Sequence, residues 1–562
     1  MALHRRGLLG LLSAGAAGAS LPAAARQAVD VQFLHGVASG DPRQDGLLIW
    51  TRVTPSDPSV RTVRVDWSVW REDDNSASVA SGTVETGPDR DFTVKVPVAG
   101  LQPGVDYRYA FSSGEVRSTQ GRARTLPVGP TPDVVMAVAS CQLYPGGYFN
   151  AWEVVSKLER LDAVIHLGDY IYEYGAEPAS YGMTTGARLN RTPNPPHEIV
   201  TLADYRLRHA QYKSDPDLQA AHARAAFICV WDDHEVANDT WTGGAENHQA
   251  ETEGEFLTRK AAALKAYFEW MPIREPEGGL TEDAIYRSFD FGDLASLLMV
   301  ETRLLARQEA LSFVTDMPTV GTGRDARPDL EGFRTKLAAP DRDLLGDAQR
   351  DWIRSTLTAS RQAGRPWQVI GNQVVMGRVQ GPDITKMASP LEITVLLARL
   401  PGPVRAEVRK SIELFKLGVP FNLDSWDGYP AGRERLYGAF ADAGVQPIVL
   451  AGDSHAFWVN DLKDASGRRA AVEFATSAIS SPSPGDHVQG VPLGAALNAA
   501  NEEVLLCDQS AKGFVLLTLT PTEAKAELHT VSTIFEKPYE ASVLKTFTVA
   551  KTADGNGPLV EA

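Results

Sequence analysis

Along residues 30–128 apolar and polar positions change in short runs. Gly46-Leu47-Leu48-Ile49-Trp50-Thr51 is nearly continuous in its apolar character, whereas Val63, Val65, Trp67 and Val69 alternate with polar neighbours, as a strand with one buried face does. Gly100-Leu101-Gln102-Pro103-Gly104-Val105-Asp106-Tyr107 places a Pro-Gly turn before a Tyr-bearing strand, the pattern of a fibronectin-type corner. The segment is therefore expected to fold as a small fibronectin/Ig-like β-sandwich acting as scaffold.

A Pro-rich linker, Pro127-Val128-Gly129-Pro130-Thr131-Pro132, precedes a change of pattern to strands alternating with helices. Val134 to Ala139 reads as a buried strand, and Phe149, Trp152, Val155 and Leu158 recur at near-helical spacing. Four further apolar runs each end in polar residues: Ala163 to Leu167 before Gly168-Asp169, Phe227 to Trp231 before Asp232-Asp233-His234, Trp367 to Ile370 before Gly371-Asn372, and Pro447 to Ala451 before Gly452-Asp453-Ser454-His455. In layered α/β folds ligands collect just beyond the carboxyl ends of strands, so these separated segments are expected to converge. Residues 306–345 and 378–432 are long inserts. The second has an amphipathic stretch near Leu391 to Leu414, read either as a lid or as surface decoration. Gly513 to Thr520 and Ala524 to Val531 close a domain spanning 133–540. Residues 541–562 read as a C-terminal tail, disordered beyond Thr552.

Composition narrows the class of protein. Hydrophobic residues make up 43% and charged residues 22%, and no apolar run after residue 25 is long enough to span a bilayer, so no integral membrane segment is expected. Residues 1–25 combine Arg5-Arg6 with an apolar stretch and end in Ala23-Ala24-Ala25, a small-residue cleavage site. They resemble a twin-arginine signal peptide, which implies the Tat export machinery as a partner and a periplasmic or secreted location. A net charge of −16 argues against a nucleic-acid coat function, which needs an extended basic surface. Three cysteines, Cys141, Cys229 and Cys507, are no disulfide framework; Cys229 and Cys507 lie in apolar surroundings and read as core.

Gly168-Asp169-Tyr170-Ile171-Tyr172, Asp233-His234-Glu235 and Gly452-Asp453-Ser454-His455 resemble the signature blocks of calcineurin-like and purple-acid-phosphatase metallophosphoesterases. Val138-Ala139-Ser140-Cys141, His166-Leu167-Gly168-Asp169-Tyr170-Ile171-Tyr172-Glu173, Trp231-Asp232-Asp233-His234-Glu235 and Trp426-Asp427-Gly428-Tyr429, in that order, resemble the PhoD-type alkaline phosphatase and phosphodiesterase family over nearly the whole chain. The resemblance implies an α+β fold in which the β-sandwich is followed by a metallophosphoesterase αββα-type sandwich.

It also implies a two-metal site. A carboxylate directly after a strand and a glycine can bind two cations through its two oxygens, which makes Asp169 the bridge. Tyr172 would join as phenolate, which calls for a strongly Lewis-acidic ion such as Fe3+, together with Cys141 and His455. Read from its position alone, Cys141 is more often a small buried hydrophobe than a ligand. The second set would be Asp169, Asp233, Asn372 and Asp453, oxygen donors that suit Ca2+, with Mn2+ or Zn2+ as alternatives. Purple acid phosphatases carry histidines where Asn372 and Asp453 stand.

His234 follows a ligand and is expected to contact the phosphoryl oxygen or leaving group as stabiliser or general acid. His166 reads as a core or supporting group and His487 as a substrate contact. Arg303, in an acidic-Thr-Arg block where Glu301 replaces the usual Asp, contacts phosphate or anchors its strand. The function implied is metal-dependent hydrolysis of a small phosphate ester, as an alkaline phosphatase with phosphodiesterase activity, by in-line attack of a metal-bound hydroxide. A phospholipase-D-like diesterase and a non-hydrolytic metal or phosphate-binding protein are the alternatives.

Overall fold

The computed structural model describes residues 29–562 apart from 75, 277–279, 489–490 and 553–554. The segment 1–25, read from sequence as a signal peptide, lies outside the described residues. Among them no helix is long and apolar enough to cross a membrane.

Six strands carry the functional end of the molecule: β1 (Val134–Ala139), β2 (Ala163–His166), β3 (Ala226–Cys229), β4 (Ala295–Met299), β5 (Trp367–Gly371) and β6 (Ile448–Ala451). β1, β2 and β3 are parallel neighbours in one sheet, and β4, β5 and β6 are parallel neighbours in a second. Side-chain alternation stacks the sheets. Leu297, Met299, Val369 and Leu450 point into the cluster that holds Val138, Ile165 and Leu167, so the two sheets share one core. Their alternates Leu298, Ile370 and Val449 point the other way, against Ile353, Leu357, Leu436 and Phe440 of the helices Gly346–Gln362 and Pro430–Ala443. Trp152 and Leu218, on the helices Asn150–Ser156 and Pro216–Arg224, pack on the first sheet. The result is the helix-sheet-sheet-helix layering expected from the family resemblance.

The N-terminal sandwich is joined to this body more closely than a linked scaffold would be. Val37–Arg43, Gly46–Arg52 and Thr93–Ala99 extend the first sheet beyond β3, making it ten-stranded. The second sheet of the sandwich, which contains Val63–Arg71 and Asp106–Ser113, packs on that extension through Val63, Val65, Tyr109 and Phe111. The join is the parallel pairing of Phe227 with Gly40. A Cβ on Gly40 would lie 2.6 Å from the Phe227 carbonyl oxygen and 1.9 Å from that of Pro272, so the close approach requires glycine.

The other end of the sheet corrects an expectation. Ala541–Thr552 and Gly555–Glu561, read as a tail, are strands paired in sequence onto Glu523–Val531. Phe547 and Val549 bury their side chains in the main core, while their neighbours stay exposed or half-buried, a one-sided alternation that anchors an edge hairpin. The amphipathic stretch of the second insert is two helices, Pro390–Arg399 and Gly402–Phe415, because Pro401 and Pro403 interrupt the pattern. The two inserts pack together through Phe333, Met317, Val419 and Leu423.

Behind β2, four histidines are buried with a lysine. His35, His166 and His209 are held down to about 3, chiefly by burial and then by nearby positive charge, Arg52 ahead of Lys213 at His35, Lys213 at His166, and Lys213 ahead of Arg208 at His209. His222 is lowered for the same reasons, and its Nε2 lies 2.8 Å from the Tyr170 hydroxyl and 3.1 Å from Lys213 Nζ. The unfolded imidazoles titrate near 6.5, so below that pH the unfolded chain holds the protons that the folded chain excludes. Stability is therefore lost as pH falls from 6.5 towards 3. His209 stacks on Trp270 with an interplanar angle of 12°, and neither of its ring nitrogens has a hydrogen-bond partner. His209→Phe keeps the volume and removes one proton site, so the pH dependence of stability between pH 6 and 4 should flatten by roughly 1.4 kcal/mol per pH unit. Urea denaturation across that range measures it, and an unchanged slope refutes the assignment.

Candidate metal centre

Beyond the carboxyl ends of the six strands the chain turns sharply. Cys141, Asp169, Asp453 and His455 have φ of 60°, 57°, 61° and 57°, a left-handed backbone that non-glycine residues adopt at a cost. Four candidate ligands sharing this strain mark a site over-determined by its surroundings. The turn after β2 is fixed by Glu235, whose carboxylate accepts the backbone N–H groups of Asp169, Tyr170 and Asp232 at 3.1, 2.5 and 2.7 Å. Gly168, at φ 102°, sits where a Cβ would meet Asp232 Cβ at 2.4 Å, so the β2 and β3 turns nest only with glycine there.

The first donor set comes together as a group. One ligand atom each from Cys141, Asp169 and His455 lie within 4.8 Å of one another. The Tyr172 hydroxyl donates to Asp169 Oδ2 at 2.7 Å and lies 3.2 Å from His455 Nε2 and 2.7 Å from Ser481 Oγ. His455 Nδ1 is 2.8 Å from the Pro482 carbonyl oxygen, which accepts its proton and leaves Nε2 as the lone-pair nitrogen facing Asp169. Tyr181 braces the ring, its hydroxyl 3.2 Å from Nδ1. Burial first, and then the Asp169 charge, push the Cys141 thiol and the Tyr172 phenol well above their usual values. A cation beside them would reverse that shift.

The second set is wholly acidic at its centre. Asp169, Asp233 and His234 form one close group, Asp232, Asp233 and Asp453 a second, and Asp233, Asp239 and Asp424 a third, each with ligand atoms within 4.8 Å. Asp169 Oδ1, Asp233 Oδ1 and Asp232 Oδ2 are buried without a hydrogen-bond partner. Buried anionic oxygens without donors are costly unless a cation answers them, so the donors present fit a metal on each side of Asp169. Burial and then neighbouring carboxylates push Glu235 and Asp453 far above the usual carboxylate range, Arg303 opposing the shift at Asp453.

Three residues sit differently from their expected roles. The Arg303 guanidinium is completely buried and faces inward: Nε donates to Asp232, Nη1 to Asp424 at 2.6 Å and Nη2 to Asp453 at 2.9 Å, with Asp233 at 3.7 Å. Its donors hold the ring of acids, so of the two readings the strand-anchoring one fits the contacts and a phosphate contact does not. Asn372, at the end of β5, donates its amide to the Val374 carbonyl and accepts from Trp426 Nε1 at 3.1 Å. No described contact places it with Asp169, Asp233 or Asp453. His487 is exposed on the rim, 6.4 Å from the Tyr181 ring.

Glu173 and Asp424 were not read as functional from sequence. Glu173 lies inside a family-like block that gives it no role; Asp424 lies in the second insert beyond its amphipathic stretch, where no pattern marks it. Glu173 is fully buried. It accepts from Asn238 N and Asn247 Nδ2, both at 2.8 Å, and its other oxygen is 2.7 Å from His234 Nδ1. Burial would strip the imidazole of its proton, but Glu173, Asp233 and Asp169 together hold it well above the ordinary histidine value. With Nδ1 occupied, Nε2 is the nitrogen left for chemistry. Glu173→Gln leaves an amide that cannot stabilise the imidazolium, and kcat should fall about 10- to 100-fold with far-UV dichroism unchanged. Steady-state kinetics at saturating substrate test this, and an unaltered kcat removes Glu173 from the machinery.

Paired sheets with acidic and His-bearing turns at their carboxyl ends define a metallophosphoesterase-type hydrolase. The particular family follows from comparison with known proteins. Residues 136–528 match the model of the PhoD-like phosphatase family, and residues 18–127 match that of the PhoD-like phosphatase N-terminal domain. Alkaline phosphatase D of Bacillus subtilis (strain 168) is 32% identical, the alignment covering 97% of this chain and 86% of that protein. A solved structure titled "Structure of PhoD" superposes with a TM-score of 0.74 at 30% identity, covering 94% of this chain and 92% of the other. The chain belongs to the PhoD-like phosphatase family.

Proposed function

We propose that the protein is an exported alkaline phosphatase, a phosphoric ester hydrolase in which Asp169 and the donor sets on either side of it would hold two unlike cations. The observation that carries this is the pair of buried oxygens without a hydrogen-bond donor, Asp169 Oδ1 and Asp233 Oδ1, together with the grouping of Asp169 with Cys141 and His455 on one side and with Asp233 and His234 on the other. Cys141, Tyr172 and His455 suit Fe3+, and Asp233 and Asp453 suit Ca2+. When bound, such ions supply charge neutralisation for the transferring phosphoryl group and an acidified water.

The chain's own residues do the rest. Asp169 fixes the spacing of the two donor sets. His234, aligned by Glu173, gives its Nε2 proton to the departing ester oxygen. Arg303 keeps Asp232, Asp424 and Asp453 from repelling one another apart. The doubled arginine and small-residue cleavage pattern of residues 1–25 supports export by the twin-arginine route to the periplasm or beyond.

A diester reading has its own support. A cavity of about 460 Å³ adjoins the acids through Asp239 and Asp424, and Trp241, Phe313, Phe421, Glu246 and Glu309 line it. Aromatic and acidic walls beside the reacting centre suit a second alcohol, including a cationic lipid head group. Elemental analysis, a visible spectrum and turnover of a phosphomonoester, a bis-aryl phosphodiester and phosphatidylcholine test the whole reading. A tyrosinate-to-iron band with calcium and ester turnover is the expected result. Stoichiometric zinc without colour overturns the mixed centre, and no turnover by the metal-loaded protein favours a binding module. Dialysis against a chelator should abolish turnover, and readdition of iron and calcium together should restore it.

A further inference from the structure

The second insert carries an apolar face that neither the core nor the metal centre uses. Its helices Pro390–Arg399 and Gly402–Phe415 share a small cluster of their own, in which Leu397, Leu400 and Ile412 are buried against Ile393, Val404 and Val408. That cluster takes one side of the first helix. On another side Leu391 and Val395 stand one turn apart, 73% and 43% exposed, and Met387, just ahead of the helix, is 44% exposed. Single exposed apolar side chains are ordinary. Three at a spacing of four, beside a helix start fixed by the Ser389–Glu392 capping box, are a row held in place.

Charge says what kind of partner fits. Cations bracket the row: exposed Lys386 comes immediately before Met387, and exposed Arg399 follows Val395 by one turn. From 383 to 416 six lysines and arginines stand against four acids, in a chain whose net charge is −16. Lys386 pairs with Asp383 at 3.3 Å and Lys416 with Glu413 at 2.6 Å, while Arg399, Arg409 and Lys410 have no carboxylate partner among the described residues. A second copy of the chain is a poor occupant. Packed about a twofold axis, the two helices would set Lys386 against Arg399 if antiparallel, or each cation against its own copy if parallel.

A surface of anionic lipid meets both halves of the pattern. Apolar side chains enter the boundary of the acyl chains, while a lysine and an arginine at the ends of the row reach back to the phosphates. The insert also places this face near the chemistry. Val491 packs against the same small cluster, and only four residues of chain, at most about 15 Å, separate it from His487 on the rim of the metal centre.

We propose that the outer face of the helix Pro390–Arg399 docks on the surface of an anionic lipid bilayer. Docking rests on exposed residues of the insert alone and stands whether or not lipid is the substrate. Flotation of the metal-loaded full chain, after brief incubation on ice, tests it with vesicles of phosphatidylglycerol and phosphatidylcholine in one arm and of phosphatidylcholine alone in the other. Wild type is expected to bind the mixed vesicles about tenfold more tightly than the zwitterionic ones. Leu391→Ser/Val395→Ser should weaken binding to the mixed vesicles by about tenfold, and Lys386→Gln/Arg399→Gln should remove the preference for anionic lipid. Both double variants should turn over a soluble aryl phosphate within twofold of wild type, which shows that their fold is intact. No vesicle binding by wild type, or equal binding by wild type and both variants, overturns the proposal. Dimerisation in sedimentation velocity that Leu391→Ser/Val395→Ser abolishes, without vesicle binding, assigns the face to a second copy and overturns it as well.

Discussion

Asp169→Asn is expected to lower kcat by on the order of a thousandfold, about 4 kcal/mol of transition-state stabilisation, and to reduce the metal content to one ion or fewer per chain. The reason lies in what asparagine keeps and what it loses. Its shape preserves the acceptor for the Tyr172 hydroxyl, while the backbone N–H still reaches Glu235. It loses the anionic Oδ1, which is buried and unpartnered between the two donor sets. An amide nitrogen there presents hydrogens where a cation needs a lone pair. The metal-free variant should be at least as stable as metal-free wild type, because one negative charge leaves a crowd that includes Asp232, Asp233 and Asp453. Elemental analysis, turnover and chelator-treated urea denaturation, read together, separate a catalytic defect from a folding one. Near-normal kcat with both ions retained would remove Asp169 from the bridge.

The turns that carry the candidate ligands were legible in sequence because each is a local event. A buried apolar run stops, and a small polar block follows at a chain reversal; Gly168-Asp169 and Gly452-Asp453 need no knowledge of their neighbours. The two-layer packing was not local and came from the family resemblance, although the alternation of Leu297 to Met299 between two cores is its physical cause. Two failures share one origin. The C-terminal hairpin buries only Phe547 and Val549 firmly within Ala541–Thr552, too sparse an alternation to stand out from a polar tail. Asp424 lies beyond the amphipathic stretch of the second insert, in a segment with no pattern of its own, yet folding puts it against Arg303 and Arg307. Glu173 shows the reverse case: its block was recognised, but a carboxylate inside a motif does not announce that it faces a histidine 61 residues away. Partners chosen by tertiary packing leave no mark in one chain's pattern.

Arg303 turns that gap into a test, because its two readings predict opposite phenotypes. A phosphate contact would raise KM on mutation and leave stability alone. The contacts argue otherwise: a guanidinium with 0% side-chain exposure answers Asp232, Asp233, Asp424 and Asp453. Removing one member of a buried ionic network leaves the others uncompensated, which costs about 3–5 kcal/mol, more than an arginine contributes at a surface. Arg303→Met, which keeps the length of the stem, should therefore destabilise the protein by that amount in urea denaturation. Arg303→Lys should recover only part of it, since an ammonium point charge cannot span Asp232, Asp424 and Asp453 in the fork that a guanidinium makes. The loss should be larger after chelation than in the metal-loaded protein, because bound cations and Arg303 neutralise the same acids. Stability equal to wild type in both states, with a raised KM, would return Arg303 to the substrate. The ordering of the two losses matters more than their size, since only a residue that shares its anions with the metals becomes more important when the metals leave.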